Sequence, residues 1–201
     1  AAFHPILHYV LDAAEAVSAE RILTVVGHGA DQVREVFEDR CEFVLQREQK
    51  GTGHAVMEAM PALTGAHGTV LILCGDTPLL RGETLDDFLG AHEREGAACS
   101  VMTARIDDPF GYGRIVRGQD GSLLRIVEQR DASPEEQTIS EINSGVYCFD
   151  LDFLREAVTE LRTDNDQGEF YLTDTVAICN EKGKKAMAWA VNDFEEVKGI
   201  N

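Results

Sequence analysis

The sequence has no long apolar run. Its longest apolar stretches, such as residues 70–74, are the length of a β-strand and far short of the roughly 20 residues that a membrane span requires. No basic segment followed by an apolar one opens the chain, so no export signal is predicted. We therefore expect a cytoplasmic protein that contacts no membrane.

Positive charge is scarce. The chain has 18 Lys and Arg residues against 36 Asp and Glu residues, which gives a formal net charge of -18. A field of that sign repels nucleic acid and anionic lipid at long range, so we expect no nucleic-acid partner. The phosphates of a nucleotide ligand would have to be met locally, by backbone N–H groups, a few cations and a metal ion.

Closely spaced cysteine pairs are also missing. The five cysteines are an odd number without any CxxC pair, and four of them lie in apolar runs. This pattern is typical of buried, reduced thiols. A zinc site would need close ligand pairs that the chain does not have.

What is present is a regular alternation of predicted helices and strands. Apolar residues recur every three or four positions over 6–17, which predicts an amphipathic helix. Predicted strands at 21–26, 42–46, 69–74 and 98–106 then alternate with helices at 31–37, 53–60 and 83–95. Apolar strands separated by helices predict one α/β domain with a parallel sheet covered on both faces.

The pattern changes between about residues 107 and 145. Asp120-Gly121 separates strands predicted at 113–117 and 122–128, which is typical of a hairpin. Ser133-Pro134-Glu135-Glu136 predicts the start of a short helix. We expect this segment to project from the sheet as a small lobe. The remaining elements are predicted at 141–149 (strand), 151–161 and 169–180 (helices) and 185–191 (strand).

The first segment that could carry chemistry is the end of the strand at 69–74. Gly75 and Asp76 follow it directly. Ligands of doubly wound sheets bind beyond the carboxyl ends of strands, and a carboxylate there suits a divalent cation that carries phosphates. Alternatively, the pair simply begins a turn before Pro78.

The second segment, 46–55, follows a strand and opens a helix. Gly51 and Gly53 allow close approach of a ligand, and Gln46 and Gln49 each offer a donor and an acceptor. This combination suits the edge of a nucleotide base. The alternative is an ordinary glycine-rich loop that is capped by Thr52.

The third segment combines Gly113 of a Gly-Tyr-Gly turn, Glu128 and Asn143. A carboxylate and an amide that converge on one pocket can bind vicinal sugar hydroxyls. Read separately, they are a turn, a solvated strand end and a strand residue. His28 and His54 accompany no nucleophile motif, so a loop and a helix start are the better interpretations.

Taken in order, these segments resemble the uridyltransferase domain of the bacterial family of bifunctional N-acetylglucosamine-1-phosphate uridyltransferases and glucosamine-1-phosphate acetyltransferases. The resemblance runs from about residue 4 to residue 201. The matching runs are QREQKGTGHA (46–55), GDTPL (75–79), DDPFGYGRI (107–115), IVE (126–128), EINSG (141–145), QGEFYLTD (167–174) and EVKGIN (196–201).

The resemblance implies a Rossmann-like, doubly wound mixed α/β sheet with a small sugar-binding lobe. It also implies a Mg²⁺-dependent reaction of UTP with N-acetylglucosamine 1-phosphate, which gives pyrophosphate and UDP-N-acetylglucosamine for cell-wall synthesis. Another sugar-1-phosphate nucleotidyltransferase, or a non-catalytic nucleotide-sugar binding module, is the alternative.

The resemblance also assigns residues. It implies that Gln46, Gly51 and Thr52 surround the uracil and that Cys74, Gly75 and Asp76 lie near the ribose and the metal; the family often has an aromatic residue at position 74. The sugar-binding positions are Gly113, Glu128, Asn143 and Asn201. Asp76 and Asn201 match the Mg²⁺ ligands and are the predicted catalytic residues.

The family begins with a strand and a loop of the form LAAGxGTRM, followed by a Lys, which grip the triphosphate. The chain starts beyond this segment and stops before the β-helix acetyltransferase domain. We therefore expect residues 1–201 to be a nucleotidyltransferase domain without its phosphate loop, impaired on its own. In the family the trimer contacts come from the β-helix half, so a homotrimer is expected for the complete protein.

Overall fold

The computed structural model describes residues 5–200. In this part of the chain the α-helices are α1 (Ile6–Ala16), α2 (Ala30–Phe37), α3 (Thr52–Ala59), α4 (Gly82–Glu95), α5 (Leu151–Glu160) and α6 (Asp174–Glu181). The strands are β1 (Leu23–Val26), β2 (Glu42–Leu45), β3 (Thr69–Ile72), β4 (Cys99–Arg105), β5 (Arg114–Arg117), β6 (Leu123–Val127), β7 (Glu141–Asp150) and β8 (Ala186–Ala190).

The strands of the described residues form two sheets. The larger one has the order β6-β5-β7-β4-β8, and β3 also pairs with β7. β1 and β2 form a separate parallel pair. β7 runs antiparallel to β3, β4 and β5, whereas β4 and β8 are parallel. The mixed sheet is confirmed, but the wholly parallel sheet expected from the helix–strand alternation is wrong.

The direction of β7 explains this difference. The chain enters β7 from the hairpin β5–β6 and not from a crossover helix, so it returns antiparallel to its neighbours. An apolar run on both faces shows that a strand is buried and says nothing about its direction.

The large sheet is covered on both faces. In β4, Cys99 and Val101 face one apolar cluster, which includes residues of α3, α5 and α6. Met102 and Ala104 face the other cluster, which includes residues of α1 and α4. The period of two along a strand thus sends alternate side chains into two cores. Both faces of the central strands are therefore buried by helices.

Hairpin β5–β6 forms the lobe and joins the sheet where Arg114 is paired with Ile142. Buried Glu141 ties the lobe down, because its carboxylate accepts hydrogen bonds from Arg117 at 2.7 and 2.8 Å and from Thr103 at 2.8 Å. Burial raises the pKa of Glu141, but these bonds and the Arg117 charge outweigh burial and leave it below the ordinary value.

The predicted capping box at Ser133 forms as expected. The Glu136 N–H donates to Ser133 Oγ at 3.2 Å, and the Ser133 N–H donates to Glu136 Oε2 at 2.9 Å. Only a 3₁₀ turn over Glu136–Thr138 follows, because the chain enters β7 three residues later. Within residues 5–200, no helix is long and apolar enough to cross a membrane.

Candidate active site

The end of β3 lies against a distortion in β7. Opposite Met102, the paired register of β4 and β7 shifts, and residues 144–146 of β7 form a bulge. Ser144 Oγ donates to the Met102 carbonyl at 2.7 Å and accepts from the Val146 N–H at 3.2 Å, which holds the bulge in place. Such bulges re-aim the neighbouring side chains of a strand, here that of Asn143.

Cys74 packs on this bulge. Its thiol donates to the Gly145 carbonyl at 3.5 Å. Gly145 has φ 82°, and a Cβ at that position would lie 2.5 Å from Cys74 Sγ, so only glycine fits. Burial, together with the negative charge of Asp76, raises the pKa of Cys74 to about 11. The thiol is therefore neutral near pH 7 and acts as a packing group.

Asp76 is exposed beyond the end of β3. Among residues 5–200, no Lys, Arg or His lies within ion-pair distance of its carboxylate. The last described part of the chain crosses it: Ile200 N–H donates to the Asp76 carbonyl at 2.9 Å, and a Cβ on Gly199 would lie 2.7 Å from Asp76 Oδ2. The other predicted metal ligand, Asn201, lies outside the described residues.

This final segment is anchored by Glu196, which is 4% exposed. Its carboxylate accepts a hydrogen bond from Thr84 Oγ1 at 2.6 Å and another from Arg81. Burial raises the pKa of Glu196. The hydrogen bonds from Arg81 and Thr84 and the charge of Arg81 together outweigh burial, so the pKa lies below its ordinary value. Glu196 therefore remains ionised and ties the segment before Gly199 to α4.

The glycine loop before α3 arranges the predicted base-binding residues. Gly51 has φ 102°, which favours glycine strongly. The side-chain amide of Gln46 donates from Nε2 to the Gly51 carbonyl at 3.2 Å and lies 3.0 Å from His54 Nδ1. Gln46, Gly51 and His54 therefore form one cluster at this loop.

The same loop is joined to residues 170–172. Gly53 N–H donates to the Phe170 carbonyl, and Phe170 N–H donates to the Lys50 carbonyl, both at 2.8 Å. Thr52 Oγ1 accepts from the Leu172 N–H at 3.0 Å and makes no cap bond to its own helix. The alternative role of Thr52 as a helix cap is therefore wrong. This connection also explains why α6 begins at Asp174 and not near 169.

The predicted sugar-binding residues lie together. A Cβ at Gly113 would lie 3.4 Å from Glu128 Oε2 and 3.5 Å from Asn143 Cβ, and the Asn143 N–H donates to the Gly113 carbonyl at 2.9 Å. Glu128 Oε1 accepts from Thr173 Oγ1 at 3.1 Å. Thr173 follows Leu172 in sequence, so the chain links this group directly to the glycine loop.

Glu128 is half-buried in an acidic environment. Burial raises its pKa, and the negative charges of Asp174 and Asp131 raise it further. The hydrogen bond from Thr173 lowers the pKa but does not cancel this rise. Burial and Asp131 likewise raise the pKa of Asp174. The interpretation of Glu128 as a solvated strand end is therefore wrong. A carboxylate with raised pKa facing a small polar cluster suits hydrogen bonds to neutral hydroxyls.

The structure thus brings Gln46, Gly51 and Thr52 together, and also Gly113, Glu128 and Asn143. Cys74 is linked to the second group through Gly145, two residues from Asn143. Sequence reasoning did not select Thr173, Gly145 or Gly199. The sequence signal that could have pointed to them is that they lie in the runs QGEFYLTD, EINSG and EVKGIN, which match the family. Among residues 5–200, no group of three or more His, Cys, Asp or Glu side chains could hold a metal ion.

Comparisons with known proteins show the family to which the chain belongs. Residues 2–139 match the family of MobA-like NTP transferase domains. The chain is 52% identical over 199 residues to the bifunctional protein GlmU of Pelobacter propionicus, which covers 98% of the chain and 43% of that protein. It is 49% identical over 195 residues to the bifunctional protein GlmU of Lactobacillus delbrueckii subsp. bulgaricus, covering 97% and 42%. The chain therefore spans less than half the length of these curated relatives.

Solved structures show the same fold. An apo UDP-glucose pyrophosphorylase superposes with a TM-score of 0.72 at 18% identity, covering 92% of this chain and 78% of that one. A UDP-glucose pyrophosphorylase complexed with UDP-glucose gives 0.70 at the same identity and coverage. At this identity, the likeness concerns the nucleotidyltransferase fold alone.

Proposed function

Because the chain belongs to the family of MobA-like NTP transferase domains and matches bifunctional GlmU proteins over nearly its whole length, we propose that it carries the uridylyltransferase site of such a protein. The substrates are UTP and N-acetylglucosamine 1-phosphate, and the products are UDP-N-acetylglucosamine and pyrophosphate. Supplying a cell-wall precursor from the cytoplasm is part of the same proposal.

The observation that carries the proposal is the connection between two clusters. One consists of Gln46 and Gly51, which suit a base edge, and the other contains Glu128 and Asn143, which suit sugar hydroxyls. The segment from Phe170 to Thr173 contacts both, the first through backbone groups of Phe170 and Leu172 and the second through the Thr173 hydroxyl. A nucleotide and a sugar phosphate held on either side of this segment would be kept in position to react.

Asp76 fits a metal ion, because its exposed carboxylate has no cation beside it among the described residues and the chain end passes over it. We propose that Asp76 and Asn201 hold Mg²⁺, which supplies positive charge at the triphosphate. The phosphate oxygen of the sugar phosphate attacks the α-phosphorus of UTP, and the bond to the β-phosphate oxygen breaks as pyrophosphate leaves. Such a transfer needs orientation and charge neutralisation and no protein nucleophile.

The test is pyrophosphate release by the protein expressed from its complete gene, with Mg²⁺ and N-acetylglucosamine 1-phosphate. We expect release with UTP and little with CTP, ATP or GTP. Asp76→Asn should lower kcat by at least about tenfold while thermal unfolding stays unchanged, because a charge at the metal is lost. No release with any nucleotide would contradict the proposal; release with glucose 1-phosphate alone would overturn the choice of sugar.

A further inference from the structure

The amide of Gln46 has a defined orientation. The Gly51 carbonyl can only accept a hydrogen bond, so the Gln46 atom that lies 3.2 Å from it must be the Nε2 donor. This argument settles which end of the amide faces Gly51 without reference to the assignment of oxygen and nitrogen. The amide oxygen points the other way.

His54 takes the second hydrogen of this amide. His54 Nδ1 lies 3.0 Å from Gln46 Nε2, and with Nε2 acting as a donor, Nδ1 must accept. The ring proton is then on His54 Nε2, which lies 3.2 Å from Glu58 Oε1. Glu58 is four residues further along α3, and the His54 ring also stacks on Phe170. Glu58 and Phe170 therefore flank the His54 ring, and the ring nitrogen Nδ1 accepts from the Gln46 amide.

The consequence is that only the oxygen of Gln46 remains for a ligand. Both Nε2 hydrogens are used within the protein, and among residues 5–200 no donor is bonded to Gln46 Oε1. Gln46 is half-buried, so this acceptor is held in place and partly shielded from water. A ligand that meets it must offer an N–H or O–H group.

We propose that His54, oriented by Glu58, is a positioning residue that makes Gln46 select uracil over cytosine. The inference rests on the proposed function, which places the base beside Gln46. Uracil carries a hydrogen on N3, which Gln46 Oε1 can accept. Cytosine carries a lone pair on N3, which faces that oxygen unfavourably, and its amino group reaches the oxygen only if the base slides along its edge.

The experiment measures direct binding of UTP and CTP by calorimetry, with the protein expressed from its complete gene. We expect the wild-type protein to bind UTP more tightly than CTP. His54→Ala should lower the UTP:CTP affinity ratio about tenfold, since the amide loses the partner that fixes its direction. His54→Asn can place a carbonyl oxygen where Nδ1 lies and should restore most of the ratio.

His67→Ala is the matched control, because His67 lies near Asp152 at 3.6 Å in an exposed position away from the loop. Its UTP:CTP ratio should equal that of the wild-type protein. A merely structural role of His54 predicts equal losses of UTP and CTP affinity in His54→Ala, and an unchanged ratio would overturn the inference. If the wild-type protein bound neither nucleotide, the proposed function itself would fail.

Discussion

Replacing Glu196 with alanine tests how the final segment is fastened. The carboxylate of Glu196 is buried and is shared by Thr84 and Arg81. Thr84 is itself 9% exposed, so its hydroxyl has little access to water. Arg81 is different, because 62% of its side chain is exposed. The two bonds are therefore expected to contribute unequally.

The magnitude follows from this difference. Removal of the carboxylate leaves the Thr84 hydroxyl buried without its partner, which costs about 1–3 kcal/mol. Arg81 returns to water and adds little, since exposed ion pairs contribute weakly. We expect Glu196→Ala to lower the free energy of unfolding by about 2 kcal/mol, which in a chain of this size lowers Tm by about 4–8 °C.

Urea unfolding at neutral pH measures this loss. Glu196→Gln keeps an oxygen for Thr84 and should cost clearly less than Glu196→Ala. The matched control is Glu195→Ala, since Glu195 is exposed and pairs at 3.4 Å with exposed Lys198. It should leave the unfolding free energy close to that of the parent. Equal losses for the alanine variants at 195 and 196 would refute the reasoning.

Two further predictions concern the candidate site. Gly199→Ala places a Cβ 2.7 Å from the Asp76 carboxylate, so we expect a severalfold higher Mg²⁺ concentration for half-maximal activity. The control is Lys198→Ala, because Lys198 is exposed. An unchanged Mg²⁺ requirement in Gly199→Ala would contradict the assignment of Asp76. Glu128→Gln replaces a carboxylate whose pKa is raised by burial. Above that pKa the buried charge lowers the stability of the fold, and this loss is relieved as the pH falls through the pKa. The neutral Gln removes the loss at every pH. Tm at pH 7 should rise while KM for the sugar phosphate increases; exposed Glu135→Gln should change neither, and a lower Tm for Glu128→Gln would show that the carboxylate is stabilised in place.

Elements that depend on local pattern could be predicted from the sequence. The amphipathic helix α1, the turn at Asp120-Gly121 and the capping box at Ser133 need only neighbouring residues, and all three form. The clustering of Gly113, Glu128 and Asn143 was expected as well, although on a resemblance to a family and not on spacing. Local sequence patterns thus predict individual helices and turns, and the resemblance to a family predicts which distant residues cluster.

Features that depend on pairing between distant segments could not be predicted this way. The antiparallel course of β7 follows from where the chain enters the sheet, which no periodicity records. The hydrogen bond from the Leu172 N–H to Thr52 Oγ1 joins residues 120 positions apart. Thr173 was missed for the same reason, because its value comes from its contact with Glu128 and not from its neighbours.

The buried free thiols have a practical consequence. Cys99, Cys148 and Cys179 are fully buried in β4, β7 and α6, and burial raises the pKa of each, that of Cys179 to about 11. Alkylating reagents react with thiolates, so these residues are shielded twice, by packing and by protonation. The rate at which each cysteine is alkylated, followed by mass spectrometry, would therefore report how often its own element opens transiently. The three natural thiols report on three different elements, so no probe has to be introduced.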